Sequence, residues 1–301
     1  MSAQRRPLFS TEAGTRPGAF GSTEWSLLTA VALIWGSSFL LIELGLEAFE
    51  PGLISWLRIV TGLVTLTFFP AARIPVDRED RSRIAILGLT WVAIPFVLFP
   101  IAQQHIDSAL TGMLNALVPI FAALFAAVFL RAMPGRVQRR GIALGFVGAL
   151  GISLPAVQGS GASTLGVVLV ALATVFYGLS INLAIPLQHR YGGPAVLMRA
   201  LAVAAIVTAP FGMIGVSGSR WSLTSAVAVV VLGVGGTGVA FVLMAAFVGR
   251  VGPTRGGVAI YFIPIVSITL GLVFLAESVT PMQVAGTGLV LVGAGLTSRK
   301  E

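Results

Sequence analysis

The sequence predicts an all-α polytopic membrane protein, its ten transmembrane helices arranged as two inverted five-helix repeats. Three observations predict it. The 301 residues are 56% hydrophobic and only 10% charged, with a mean hydropathy of +0.96, whereas soluble domains carry about a quarter charged residues. Ten apolar runs separated by short connections fill the chain. A shift of 145 residues then lays the later runs on the earlier ones.

The elements follow in order. Residues 1–24, polar and carrying Arg5, Arg6, Arg16, Pro7 and Pro17, read as a disordered cytoplasmic tail. The first apolar run, 25–43, is followed by no small-residue cleavage site, so it reads as a retained helix and not a signal peptide. Runs at 51–70, 84–104, 108–130 and 139–155 complete a first repeat over 25–155. The Gly/Ser-rich connection 156–164 joins it to runs at 165–186, 194–215, 222–248, 255–276 and 281–297, which form a second repeat over 165–298. At roughly 20 apolar residues per span, ten spans leave room for little besides ends and connections. The runs are too long and too continuously apolar for the alternating strands of a β-barrel.

Orientation comes from Lys and Arg. Sixteen of the nineteen fall in the N-terminal tail, the even-numbered connections and the C-terminus, against Arg220 alone on the other side; Arg58 and Arg199 lie inside runs. Basic connections stay cytoplasmic, so both termini are expected inside a cell (inner or plasma) membrane. This distribution also removes nucleic acid as a reading of the net charge of +8.

The 145-residue shift matches Gly112 with Gly257, Pro119 with Pro264, Gln138 with Gln283, Gly141 with Gly286 and Gly148 with Gly293. It also matches Gly88 with Gly233 and Phe96 with Phe241. Five spans is an odd number, so the second unit must enter the membrane inverted. Inverted repeats enclosing a midplane site recur in secondary transporters.

Several classes are excluded by what is missing. Zero cysteines remove disulfides, thiolate metal sites and cysteine nucleophiles. Two histidines (105 and 189), no His-Glu-x-x-His run and no paired deep carboxylates argue against an intramembrane enzyme, and no metal, cofactor or catalytic residue is expected. A channel needs a continuous polar stripe or charged ring; only scattered polar groups are present.

The run Ala32-Leu33-Ile34-Trp35-Gly36-Ser37-Ser38-Phe39 is similar to the tryptophan-glycine signature that opens EamA-type transporters of the drug/metabolite transporter superfamily. Pro51 to Arg58 resembles the family's second-span motif ending in Arg, and the Pro119 and Pro264 segments resemble its repeat ends. The likeness covers about residues 25–298. It implies a ten-helix exporter of amino acids or related metabolites, with a cavity lined by the first, third, fourth, sixth, eighth and ninth helices. One departure is visible: such repeats often place Glu after the fourth-type span, as at Glu277, but the first repeat has Arg131-Ala132-Met133.

Polar and aromatic side chains within spans are the candidate substrate contacts. They are Trp35 and Ser38 in the first span, Trp91 in the third, Asn115 in the fourth, Tyr177 and Asn182 in the sixth, and Tyr261 in the ninth. Each has a plainer reading as helix packing or as part of an interfacial aromatic belt. Gly36, Pro95, Pro119, Gly236 and Pro264 are candidate hinges, because proline removes a backbone hydrogen bond and glycine loosens a helix. Arg58 and Arg199 sit about two turns or less from the starts of their runs. That depth favours snorkelling to headgroups, or pinning of neighbouring helices, over binding a carboxylate. Glu43 and Glu277 lie near outer ends, where solvation is expected.

No Asp or Glu stands at the centre of any run, which weighs against proton exchange through a deep carboxylate. The expectation is export of neutral or zwitterionic metabolites, foremost amino acids, by alternating access, with facilitated diffusion as the preferred mode. The alternative within the same fold is a multidrug exporter of lipophilic cations. The expected partners are a small-molecule substrate and membrane lipid, and the expected state is a monomer.

Overall fold

The computed structural model describes residues 20–131, 133–158 and 161–297. The predicted tail and the last residues, 298–301, lie outside that set, except that Phe20 and the residues after it are described. Among the described residues every regular element is helical.

Seven helices are long and apolar enough to cross a bilayer: α1 (Ser22–Leu46), α3 (Arg78–Gln103), α4 (Ser108–Leu130), α5 (Arg136–Val157), α6 (Ser163–Tyr191), α7 (Gly193–Gly218) and α8 (Leu223–Val251). Three shorter apolar helices complete the set: α2 (Pro51–Thr67), α9 (Val258–Phe274) and α10 (Pro281–Thr297). Their starts follow local chemistry. Pro51 opens α2 after the extended Glu50, where a missing N–H costs nothing. Ser222 caps α8 by accepting from the Ser225 N–H. Gly192, at φ +83°, supplies the left-handed residue that turns α6 into α7.

Five helices are interrupted. α1 breaks at Ser37 between Gly36 and Ser38. α3 and α8 pass through π-helical stretches at Gly88–Ala93 and Leu232–Val239. α4 breaks at Ala116 and Leu117, just before Pro119, and α9 breaks at Phe262, just before Pro264. All five candidate hinges therefore sit at or beside a departure from α-helical bonding. A proline cannot donate to the carbonyl four residues earlier, and the local backbone adjusts.

Helices approach most closely through glycine. α5 and α10 cross antiparallel: a Cβ built on Gly141 would stand 2.6 Å from the Gly293 carbonyl oxygen, and one on Gly148 would stand 2.6 Å from that of Gly286. Small residues let backbones approach in this way in lipid, where no hydrophobic force drives association between helices. α7 lies across α2, with the Trp56 indole donating to the Ala205 carbonyl at 3.1 Å.

Three buried apolar clusters fill the interior. One runs from Phe39 and Ile42 of α1 through Phe99, Met113, Leu114 and Leu117. A second joins Ile59, Leu87, Phe96, Ala184 and Leu197, and a third joins Leu28, Val31, Phe247 and Val251. Outward, Val128, Leu130, Ile206, Ile214, Val273 and Phe274 are exposed over apolar helix faces. Such a surface suits lipid and not water. Trp25 and Trp221 stand exposed near helix ends, the positions of an interfacial belt.

Candidate functional site

Several predicted residues converge at the centre of the helix assembly. The Trp35 indole Nε1 donates to the Gly236 carbonyl at 3.1 Å, within the π-helical part of α8. Its ring meets Phe241 edge-on, centroids 5.2 Å apart, and Trp91 meets the other side of Phe241 at 5.5 Å. Tyr177 stacks obliquely on Phe99 at 5.7 Å and packs against both the Phe99 and the Phe96 clusters. Trp35, Trp91 and Tyr177 are each half-buried. Ser38 is buried beside Gly236, and its hydroxyl donates to the Ile34 carbonyl at 3.2 Å.

The other predicted contacts hydrogen-bond helix carbonyls or are buried at a helix break. Asn182 donates both to the Ala122 carbonyl (2.9 Å) and to the Gly178 carbonyl (3.0 Å), tying α6 to α4. The Tyr261 hydroxyl donates to the Ala294 carbonyl at 2.9 Å, tying α9 to α10. Asn115 is buried at the α4 break, and its Oδ1 accepts no hydrogen bond. An unsatisfied buried acceptor is costly, so this oxygen is a ready receiver for an incoming N–H.

Arg58 meets one half of its sequence-based expectation, pinning α2 to the neighbouring α8, and departs from the other. α2 is only seventeen residues long, about 25 Å at 1.5 Å per residue, and Arg58 is its eighth residue. It stands at mid-helix and does not snorkel. Its side chain is buried, with Nε donating to Thr237 Oγ1 at 3.0 Å and Cζ lying 3.8 Å over the Phe96 ring. Arg199 follows the plainer expectation: near the start of α7, it donates to the Ala72 and Ala195 carbonyls. In the sequence Phe96 and Phe241 stand out only as a pair matched by the 145-residue shift, and Thr237 not at all.

Glycines place these groups. A Cβ on Gly62 would come within 2.7 Å of Thr237 Cγ2, and one on Gly233 within 2.7 Å of the Arg58 carbonyl oxygen. Both lie on the α2–α8 seam, so their lack of a side chain delivers Thr237 to Arg58. Gly36 performs the same service on the opposite side, where a Cβ would overlap Val266 of α9.

One end of the molecule is acidic, and its carboxylates are not simply solvated. Glu277 accepts from the backbone N–H groups of Ser108 (2.8 Å) and Ala109 (2.9 Å), capping α4 from the far end of α9. Glu43 accepts from Gln103 Nε2 at 3.1 Å, while the same nitrogen donates to the Phe39 carbonyl. Asp107, in the connection before α4, has its carboxyl pushed above the usual range, chiefly by burial and further by the Glu277 carboxylate. The opposite end gathers Arg190 on Asp77 and Asp80, and Arg250 on Glu24.

Two recesses lie away from the centre. One of about 560 Å³ is lined by Leu124, Arg131, Met133 and Arg139, and one of about 430 Å³ by Pro75, Arg81, Ile84 and Arg199. Neither is lined by Trp35 or Arg58. Among the described residues no three His, Asp or Glu side chains group as metal ligands.

The EamA-like transporter family matches residues 24–154 and 164–299. A protein of Archaeoglobus fulgidus described as an uncharacterized transporter is 26% identical over 278 residues, 92% of this chain and 99% of its own length. A protein of Streptantibioticus cattleyicolor described as a probable terminal-alkyne amino-acid exporter is 28% identical over 280 residues, covering 92% and 93%. A solved crystal structure at 18% identity covers 92% of this chain and 96% of its own with a TM-score of 0.63, a likeness of fold alone.

Proposed function

Because the chain belongs to the EamA-like transporter family, we propose that it exports small neutral or zwitterionic metabolites, amino acids foremost, by alternating access at a central cavity. The observation that carries this reading is the meeting of Trp35, Trp91 and Tyr177 around Phe241, Phe96 and Phe99, next to the breaks in α1, α3 and α8. Aromatic walls with a few polar groups hold a small solute without a deep acid. The relative named as an amino-acid exporter supports the cargo class.

In this reading all ten apolar helices span a cell membrane as two inverted repeats, with both termini cytoplasmic. Several pairings 145 residues apart support it. The two non-glycine residues with left-handed backbone among those described, Arg131 (φ 50°) and Ala276 (φ 51°), end the paired helices α4 and α9. The π-helical stretches start at Gly88 and Gly233 or within a residue of them, and the α4 and α9 breaks fall before Pro119 and Pro264. The Gly141–Gly293 and Gly148–Gly286 contacts exchange with one another when the repeats are exchanged. An antiparallel helix pair with that property is related by an axis perpendicular to the helices, hence in the membrane plane.

The mechanism is rocking of one repeat against the other, with α1, α3, α4, α8 and α9 flexing at their interruptions. π-helical and proline-broken turns already lack some i to i−4 bonds, so bending there gives up fewer hydrogen bonds. One chain encloses the site, and a monomer suffices. Lipophilic cations are disfavoured as cargo, because the buried Arg58 guanidinium repels them.

Purified chain in proteoliposomes, loaded with one amino acid and tested for counterflow of a labelled panel, tests the proposal. Saturable flux of at least one amino acid is expected. Flux of a cationic dye without flux of any amino acid would falsify the cargo assignment.

A further inference from the structure

Arg58 is a charge without a counter-charge. Its side chain is 6% exposed at the centre of α2. Guanidinium carries five N–H donors and stays protonated in proteins. One donor, Nε–H, goes to Thr237 Oγ1, and the Phe96 ring lies under Cζ. Among the described residues no carboxylate lies within ion-pair distance, and no side chain or carbonyl accepts from either terminal amino group. A buried charge is normally paired or coordinated, because desolvation penalises it.

The surroundings hold it rigidly in that unpaired state. Thr237 is itself fully buried and held over α2 by Gly62. The backbone of Phe96 is fixed by the Ser55 hydroxyl, which donates to its carbonyl at 2.9 Å. With Nε occupied and the ring beneath, the two terminal amino groups form a planar fork with donors unspent. That fork matches the two oxygens of a carboxylate.

We propose that Arg58 is the carboxylate receptor of the central site: the cargo is a carboxylic acid or zwitterion whose carboxylate takes the two amino groups of Arg58, while its remainder lies against Tyr177, Trp91 and Trp35. This inference rests on the export reading and narrows it. Amines and cations lacking a carboxylate are excluded as good substrates. The site is neutralised only when loaded, which favours movement of the loaded over the empty carrier.

The test compares acid with amide. Proteoliposomes of the wild-type chain are assayed for counterflow of a transported amino acid, competed by that amino acid, by its carboxamide and by the decarboxylated amine. The acid is expected to compete at least tenfold better than either analogue. Arg58→Gln is expected to lower flux at least tenfold and to erase the preference for acid over amide, and Arg58→Lys to restore part of both. If the wild type transports amino acids yet treats acid and amide alike, the receptor assignment is overturned while export stands.

A binding measurement covers the case in which no panel member is transported and export itself fails. Tryptophan fluorescence of the solubilised chain is titrated with phenylacetate and with phenylacetamide. A saturable response to the anion alone, lost in Arg58→Gln, is expected; equal responses, or a response unchanged by the substitution, overturn the proposal. If Arg58→Gln does not elute as a folded monodisperse species, Thr237→Val takes its place. It keeps the charge but frees the fork, and is expected to weaken phenylacetate binding about three- to tenfold; unchanged binding overturns the proposal.

Discussion

The Trp35 indole and the Gly236 carbonyl share a 3.1 Å hydrogen bond that ties the break in α1 to the π-helical turn of α8. Two interrupted helices, distant in sequence, are thereby linked, and the aromatic contact between them is Trp35 against Phe241. Removing that link separates binding from coupling. Trp35→Ala is expected to abolish counterflow, and Trp35→Phe to keep the ring contact but lose the bond, worth about 1 kcal/mol. Flux should then fall several-fold with expression unchanged; wild-type flux in Trp35→Ala rejects the role.

Glu277, just past the end of α9, caps the neighbouring α4 through the Ser108 and Ala109 N–H groups. Glu277→Ala leaves two orphan donors at a helix start and is expected to cost about 1–2 kcal/mol. A lowered melting temperature in detergent checks it, and Glu277→Gln should recover part of the loss.

The α5–α10 seam tolerates no side chain at Gly148, where a Cβ meets the Gly286 carbonyl 2.6 Å away, an atom fixed in a helix. Gly148→Val is expected to destabilise by about 1–3 kcal/mol or to abolish folded expression. Gly249→Ala, where nothing lies within 4 Å, is the matched control and should be neutral or slightly stabilising. Equal melting temperatures for the two variants count against the seam.

Asp107 gives a pH dependence with a definite sign. Burial, then the Glu277 carboxylate, raises its folded-state pKa above the ordinary 3.8. The folded form therefore binds the proton more tightly than the unfolded chain does. Its unfavourable contribution is complete above the raised value and disappears as pH falls towards 3.8. The Asp107 carboxyl is only partly withdrawn from water, since the residue as a whole is exposed, so solvent screens the effect and a small change is expected. Asp107→Asn should raise the melting temperature slightly at neutral pH and not at pH 4; a drop at neutral pH contradicts the sign.

Much of the candidate site is legible in the primary structure. Trp35, Trp91 and Tyr177 stand out because large polar-tipped rings are rare in apolar runs, and all three reach the centre. Asn182 and Tyr261 stand out for the same reason, yet they spend their donors on helix carbonyls of α4 and α10. An amide or phenol in lipid needs a partner, and only the packing says whether that partner is protein or cargo. Arg58 is the reverse case: an estimate of its depth from a twenty-residue run puts it near an end, but the helix stops at Thr67 and makes it central.

Hydrophobic content, run length and the placement of glycine and proline by themselves determine the ten apolar helices and mark where several are interrupted, because those properties depend on backbone bonding and on transfer out of water, both local to each segment. Which polar groups remain unspent is a different kind of quantity. It depends on what the neighbouring helix presents at 3 Å, and so only the tertiary structure, pressing Thr237 and Phe96 against Arg58 with no carboxylate beside them among the described residues, decides that this charge stays unpaired.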